Sequence, residues 1–281
     1  MNQNEFFYPI NAVGVACWLF VLMMLATEVG IRFGSRTRAR RMEEETSYID
    51  FIQGGVLGLL SLLLGFTYAL AADRHDARTE LQVREANALG TAYLRAGLVT
   101  DPSRSELRES IRQYVDAAVQ SVDVIDNPVV AAENLQRAER ALQMLWPAGL
   151  RSIEGREPTE ADSLLLQSLN DVIDLHEQRI AAFEYRVPNI ILWVLFFLAV
   201  AAMALTGYAI GLNGSRKFFL TTGMTILVVA VILVIIDLQH PQQGFIRVSQ
   251  KSMIRLRDRL QAEKAAEITP TTQSVPNKDA R

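Results

Sequence analysis

Hydrophobic and polar positions are sorted into blocks along the chain. Four apolar runs, roughly residues 11–33, 51–72, 189–212 and 218–237, each approach the ~20 residues that carry a helix across ~30 Å of hydrocarbon. The pattern predicts four transmembrane helices. The segment "MNQNEFFYPINAVG" ahead of the first run lacks a basic residue, and the run exceeds the ~7–15 apolar residues of a secretory signal, so it reads as a retained helix.

Residues 73–187 are polar with helical periodicity throughout. From Ala71 the chain continues as "AADRHDARTELQVREANALGTAYLRAGL", rich in strong helix formers, so the second membrane helix is expected to continue into this region. Asp101 before Pro102 suits a helix start, and Ser103 with Glu106 has capping-box spacing. That helix should run to about Val124. Asn127 before Pro128 opens the next, with Pro147 and Gly149 read as its stop; Thr159 and Asp162 open the last, which runs toward Pro188.

The expected fold class is all-α: an integral membrane protein with a helical bundle inserted between its second and third membrane helices. The expected parts are transmembrane helices 1 and 2 in 1–72, the bundle in 73–187, transmembrane helices 3 and 4 in 188–240, and an amphipathic juxtamembrane segment in 241–267. Met253, Leu256 and Leu260 recur at helical spacing in that segment, which is docked or lies at the interface. Residues 268–281 read as a disordered polar tail.

Composition narrows the function. A net charge of -3, with no basic groove interleaved with aromatics, gives no reason to expect a nucleic-acid partner. The one cysteine, Cys17, falls inside the first membrane helix, which excludes an intramolecular disulfide and a cysteine metal site. Nothing resembles a nucleophile elbow, a phosphate loop or a zinc motif, so no enzyme and no cofactor is expected. The charge rule for loops divides. Arg32, Arg36, Arg38, Arg40, Arg41, Arg216 and Lys217 place both short loops inside, whereas Arg247, Lys251, Arg255, Arg257 and Arg259 place the C-terminal segment there too. Orientation stays open.

The second membrane helix carries the candidate site. At about 100° per residue, Gly54, Gly58, Ser61, Gly65, Ala69 and Ala72 share one stripe, a small-xxx-small face suited to close helix packing. Leu59, Leu63, Phe66 and Leu70 form a bulky apolar stripe opposite, and Arg74 and Arg78 follow near that side. Two arrangements fit. Either the small face packs on a neighbouring helix of the same chain with the bulky stripe toward lipid, or copies of the helix surround an axis. In the second case the leucines and phenylalanine form a hydrophobic gate and the arginines attract anions at its mouth.

Three blocks, "GGVLGLLSLLLGFTYALAADRHDAR", "DARTELQVREANALGTAYLRA" and "IIDLQHPQQGFIRVS", occur in an order that resembles the bacterial bestrophin-like family. In that family the last block usually reads Leu-Asp-x-Asp-x-Pro-x-x-Gly. Here Asp237, Pro241 and Gly244 are kept, with Gln239 and His240 at two intervening positions, and His75 and Asp76 follow Arg74 where bacterial bestrophins have an aromatic pair. The resemblance implies a homo-oligomeric, pentameric chloride channel of the bacterial inner membrane, gated by an apolar neck on the second helix.

Other polar residues have local explanations. Glu28 and Arg32 are one turn apart and suit an interfacial ion pair. Asp237 reads as a cap bonding turn amides, with pH gating by Asp237 and His240 as the sharper alternative. Asp171, Asp174 and His176 do not share one helix face, so they read as a solvated, salt-bridged surface rather than a metal site. Glu85 and Asn87 would line a vestibule, or Glu85 would pair with Arg78 or Arg84. Besides the anion channel, the sequence admits a membrane-anchored sensor with a helical ligand-binding bundle, and a non-conducting membrane scaffold.

Overall fold

The computed structural model describes residues 12–38, 43–123, 128–155, 157–185, 187–214, 218–239 and 245–268. Its elements are all α-helices: α1 Ala12–Thr37, α2 Glu43–Ala96, α3 Ser103–Asp123, α4 Pro128–Arg151, α5 Glu160–Glu184, α6 Asn189–Asn213, α7 Phe218–Leu238 and α8 Lys251–Ile268. Four of them, α1, α2, α6 and α7, are long and apolar enough to cross a membrane. By its contacts the chain divides into two units, Met1–Ala77 with Glu184–Val248 and Arg78–Phe183 with Ser249–Arg281.

In the first unit, Leu19 and Met23 of α1, Leu60, Leu64 and Ala71 of α2, Leu195, Ala199 and Met203 of α6, and Ile232 and Ile235 of α7 form the core. Lipid tails are as apolar as these side chains, so the contact is held by close packing and not by removal from water. Packing is closest where α1 crosses α6. A Cβ built on Gly30, Gly34, Gly207 or Gly211 would collide with a carbonyl oxygen of the facing helix, that of Ala204, Tyr208, Thr27 or Ile31 respectively. Each helix thus offers a Gly-x-x-x-Gly notch to the other's backbone, an arrangement only a missing side chain permits. Hydroxyls beside the crossing bond within their own helices, Thr27 to the Met23 carbonyl at 2.9 Å and Thr206 to the Ala202 carbonyl at 2.8 Å. At the end of α6, Gly214 takes φ 70° and its N–H bonds the Ile210 carbonyl at 3.0 Å. That left-handed closure stops the helix.

The second unit is built from the rest of α2 with α3, α4, α5 and α8. Leu89, Tyr93, Leu107, Ile111, Leu145, Leu165 and Leu169 lie at its centre. Met253, Leu256 and Leu260 join them, so α8 is docked on this core. Thr159 and Asp162 form the expected cap: the Asp162 carboxylate accepts from the Thr159 N–H at 2.7 Å, and the Asp162 N–H reaches the Thr159 hydroxyl at 3.4 Å.

One expected boundary and one expected cap differ. Pro147 and Gly149 do not stop α4, which continues to Arg151 with Pro147 inside it. Gly149 is instead a point of close approach, where a Cβ would come within 2.6 Å of Leu169 Cδ1 on α5. Nor does Glu106 close a capping box on Ser103, because its carboxylate pairs with Arg151 of α4. Asp101 does the capping, accepting from the Ser105 N–H at 3.3 Å and the Ser105 hydroxyl at 2.6 Å. Those bonds, the hydroxyl's first, hold the Asp101 carboxyl below its ordinary value. Val124, Asn127 and the tail beyond Ile268 lie outside the described residues; Ile268 itself closes α8.

Candidate functional site

The membrane part of α2 has three faces, roughly 120° apart at about 100° per residue. One packs inside its own unit: Leu60, Leu64, Thr67 and Ala71 are all buried. A second bears the glycines: a Cβ built on Gly54, Gly58 or Gly65 meets no described atom within 4 Å, and only at its far end does Ala72 pack against the core. Ser61 on the same face is exposed. Of the two arrangements, packing of this face on a neighbouring helix of the same chain does not match the described residues, where the leucine face does the packing. The third face is the bulky stripe, with Leu59 50%, Phe66 66% and Leu70 37% exposed, while Leu63 is half-buried against the core.

The two arginines beyond the stripe differ. Arg74 is half-buried, with one terminal nitrogen, Nη1, enclosed and unbonded. Arg78 is buried in the second unit. Its Nε donates to the Ala182 carbonyl at 2.9 Å, and its guanidinium lies 6.0 Å from the centre of the Phe183 ring. Ala182 is in the last turn of α5, where carbonyls lack partners within the helix, so Arg78 serves as a C-terminal cap. This engagement explains why Arg78 is not left open to anions as expected.

Asp237 is 4% exposed at the end of α7. Its two oxygens accept the N–H groups of Phe245 and Ile246 at 2.9 and 2.8 Å, so one carboxylate holds the backbone at both residues. It caps backbone amides, as its place in the sequence predicts, but across eight and nine residues instead of a tight turn. His240, Pro241 and Gly244 lie outside the described residues. Arg32 Nε meets Glu28 Oε1 at the expected turn spacing, 2.9 Å.

The bundle holds a polar cluster that sequence reading missed. Glu85 is fully enclosed and faces Arg179 Nε at 2.8 Å, His176 Nδ1 at 3.6 Å and the Tyr114 hydroxyl, which donates to it. The Tyr114 hydroxyl keeps its proton and donates to Glu85, while its oxygen lies 2.7 Å from His176 Nδ1. Burial, then Glu85, push the Tyr114 phenol well above its ordinary range. Burial pulls the Arg179 guanidinium down, but Glu85 and Tyr114 outweigh it and leave it raised. The expected pairing of Glu85 with Arg78 or Arg84 does not occur, and His176, 1% exposed, is no part of a solvated face. Glu85 comes from α2, Tyr114 from α3, His176 and Arg179 from α5, and no spacing within one helix announces such a convergence. Among the described residues no group of His, Cys, Asp and Glu is arranged to hold a metal.

Residues 17–253 match the family described as the Bestrophin-like domain. No curated protein matches the chain. Among solved structures, a point variant of a bacterial bestrophin homologue from Klebsiella pneumoniae superposes with a TM-score of 0.64 at 11% identity, over 89% of this chain and 99% of its own.

Proposed function

As this chain belongs to the bestrophin-like family of membrane proteins, we propose that it is the subunit of a homo-oligomeric anion channel of the bacterial inner membrane, with α2 lining the path. The observation that carries this reading is the division of labour on α2. One face is packed, while the glycine face and the bulky stripe of Leu59, Phe66 and Leu70 are left uncovered by the described residues. Copies arranged about an axis would cover the glycine face by close contact and point the bulky stripe inward as a constriction. Arg74 follows one turn beyond Leu70 and is the cation left to draw anions there. Residues 1–72 and 188–240 form the membrane part in this reading, 73–187 the soluble bundle and 241–267 a juxtamembrane segment. Five subunits is the number that the resemblance implies.

Halide flux into liposomes holding the purified oligomer tests it. Phe66→Ala and Leu59→Ala are expected to raise basal flux, because a smaller side chain widens and wets an apolar constriction. An intact oligomer that passes no halide across a range of pH and voltage would refute the channel, and would favour the membrane-anchored sensor or the scaffold.

A further inference from the structure

The α3–α8 seam holds a second constellation of charge that conduction does not use. Arg108 and Arg112 stand one turn apart on α3, a spacing at which like charges repel. Both guanidiniums lie against the buried Tyr93 ring, at 4.8 and 5.2 Å from its centre, and Arg112 also bonds the Tyr93 hydroxyl. An anion between them relieves the repulsion. The chain supplies one from α8: Glu267 Oε1 meets Arg108 at 2.6 Å and Glu267 Oε2 meets Arg112 at 3.0 Å. Each oxygen of one carboxylate thus takes one guanidinium, the geometry in which arginines recognise oxyanions.

Glu267 is a poor occupant from its own helix's side. It lies in the last turn of α8, where the macrodipole disfavours a carboxylate and where helices fray. It is also half-exposed, whereas Arg112 is only 11% exposed. The rest of α8 does not depend on it, being held by Met253, Leu256 and Leu260 in the core, by Lys264 on Glu109 at 3.0 Å and by Gln261 on Asp116 at 3.2 Å. Beside the clamp lies a cavity of about 50 Å³, lined in part by Arg112, Leu260 and Lys264. Two further acids line it, Glu109, 3.8 Å from Arg112 and offset by Lys264, and Asp116, which accepts from Gln261; Arg257 adds a third cation to the lining.

We propose that Arg108, Arg112 and Tyr93 form a receptor for a small phosphate-class oxyanion, and that Glu267 is the tethered carboxylate that fills it until the ligand arrives. Binding frees the last turn of α8 and leaves the docked part in place.

The full chain in detergent is dialysed to equilibrium against radiolabelled inorganic phosphate at fixed ionic strength. Glu267→Gln should bind phosphate at least ~10-fold more tightly than the unaltered chain, because a tethered competitor acts at roughly millimolar effective concentration. Adding Arg112→Gln or Arg108→Gln to that variant should abolish the gain, and chloride at equal ionic strength should not compete. Phosphatidate in place of phosphate separates the sources: tighter binding assigns a lipid headgroup, equal or weaker binding a free anion. In the unaltered chain, phosphate should speed amide exchange over residues 265–268 and leave Met253 to Leu260 protected. Equal binding by the unaltered chain and Glu267→Gln, or no change in exchange at saturating phosphate, would overturn the proposal.

Discussion

The Glu85 carboxylate on α2 lies 2.8 Å from the Arg179 guanidinium on α5, and the carboxylate is wholly enclosed. An enclosed charge is tolerable only while its partner is present. Arg179→Ala should therefore destabilise the folded chain by about 3–5 kcal/mol, the range seen when one member of a buried pair is removed. Glu85→Gln with Arg179→Met should cost much less than the two single changes added, because no unpaired charge remains. Denaturant unfolding of the full chain in detergent, taken through all four members of that cycle, measures the difference; additive costs would contradict the pairing.

Alkaline pH should loosen the same cluster. Burial first and Glu85 second hold the Tyr114 proton well above the ordinary 10.0. Above that value the unfolded chain has released the proton while the folded chain retains it, so stability falls as pH rises. Below pH ~10 the full contribution is present. Tyr114→Phe removes this titration, and its stability should fall less steeply above pH ~10 than that of the unaltered chain. Parallel slopes for the two proteins would show that the phenol does not titrate as described.

Two sets of glycines should answer differently to the same substitution. Gly34→Ala or Gly207→Ala drives a methyl into a facing carbonyl and should cost about 1–3 kcal/mol of subunit stability, the usual range for overpacking. Gly58→Ala meets no described atom within 4 Å and should leave subunit stability unchanged. If copies pack on the glycine face, Gly58→Leu should instead weaken the oligomer, as read by cross-linking or by mass in mild detergent. An unchanged oligomer would remove that face from the subunit contact.

Asp237 accepts two backbone N–H groups from one buried position. Hydrogen bonds to a charged group contribute about 1.5–3 kcal/mol each, so Asp237→Ala should release the backbone at Phe245 and Ile246. Faster amide exchange at these two residues, with α7 still protected, is the expected result. Protection unchanged at both would mean that the carboxylate does not hold them.

Sequence-local features were legible and convergent ones were not. The four apolar blocks were readable because a bilayer demands long uninterrupted hydrophobic runs, and the Thr159–Asp162 cap because its partners are three residues apart. Pro147 misled because a proline signals a helix end only when nothing else supports the following turn, and here Leu145 and Ala148 are buried on either side of it. The buried Glu85 cluster needed three helices to meet, which no single-helix spacing encodes. The α1–α6 notches did have a signal, Gly-x-x-x-Gly written once in each helix, at Gly30 and Gly34 and at Gly207 and Gly211. The glycines in the membrane part of α2 stand out in the sequence instead, yet a Cβ on Gly54, Gly58 or Gly65 meets no described atom within 4 Å.

That notched crossing also bears on how the protein is made. Thr37 and Tyr208, bonded beside it at 3.4 Å, are 171 residues apart in the chain. A ribosome adding roughly 5–20 residues each second delivers α1 to the bilayer well before α6 exists. For that interval the groove at Gly30 and Gly34 has no facing backbone, and nascent α1 must wait among lipids or chaperones for a partner synthesised after the whole of α2 to α5. The membrane unit thus closes late, and a chain truncated before α6 would leave α1 inserted but unmatched.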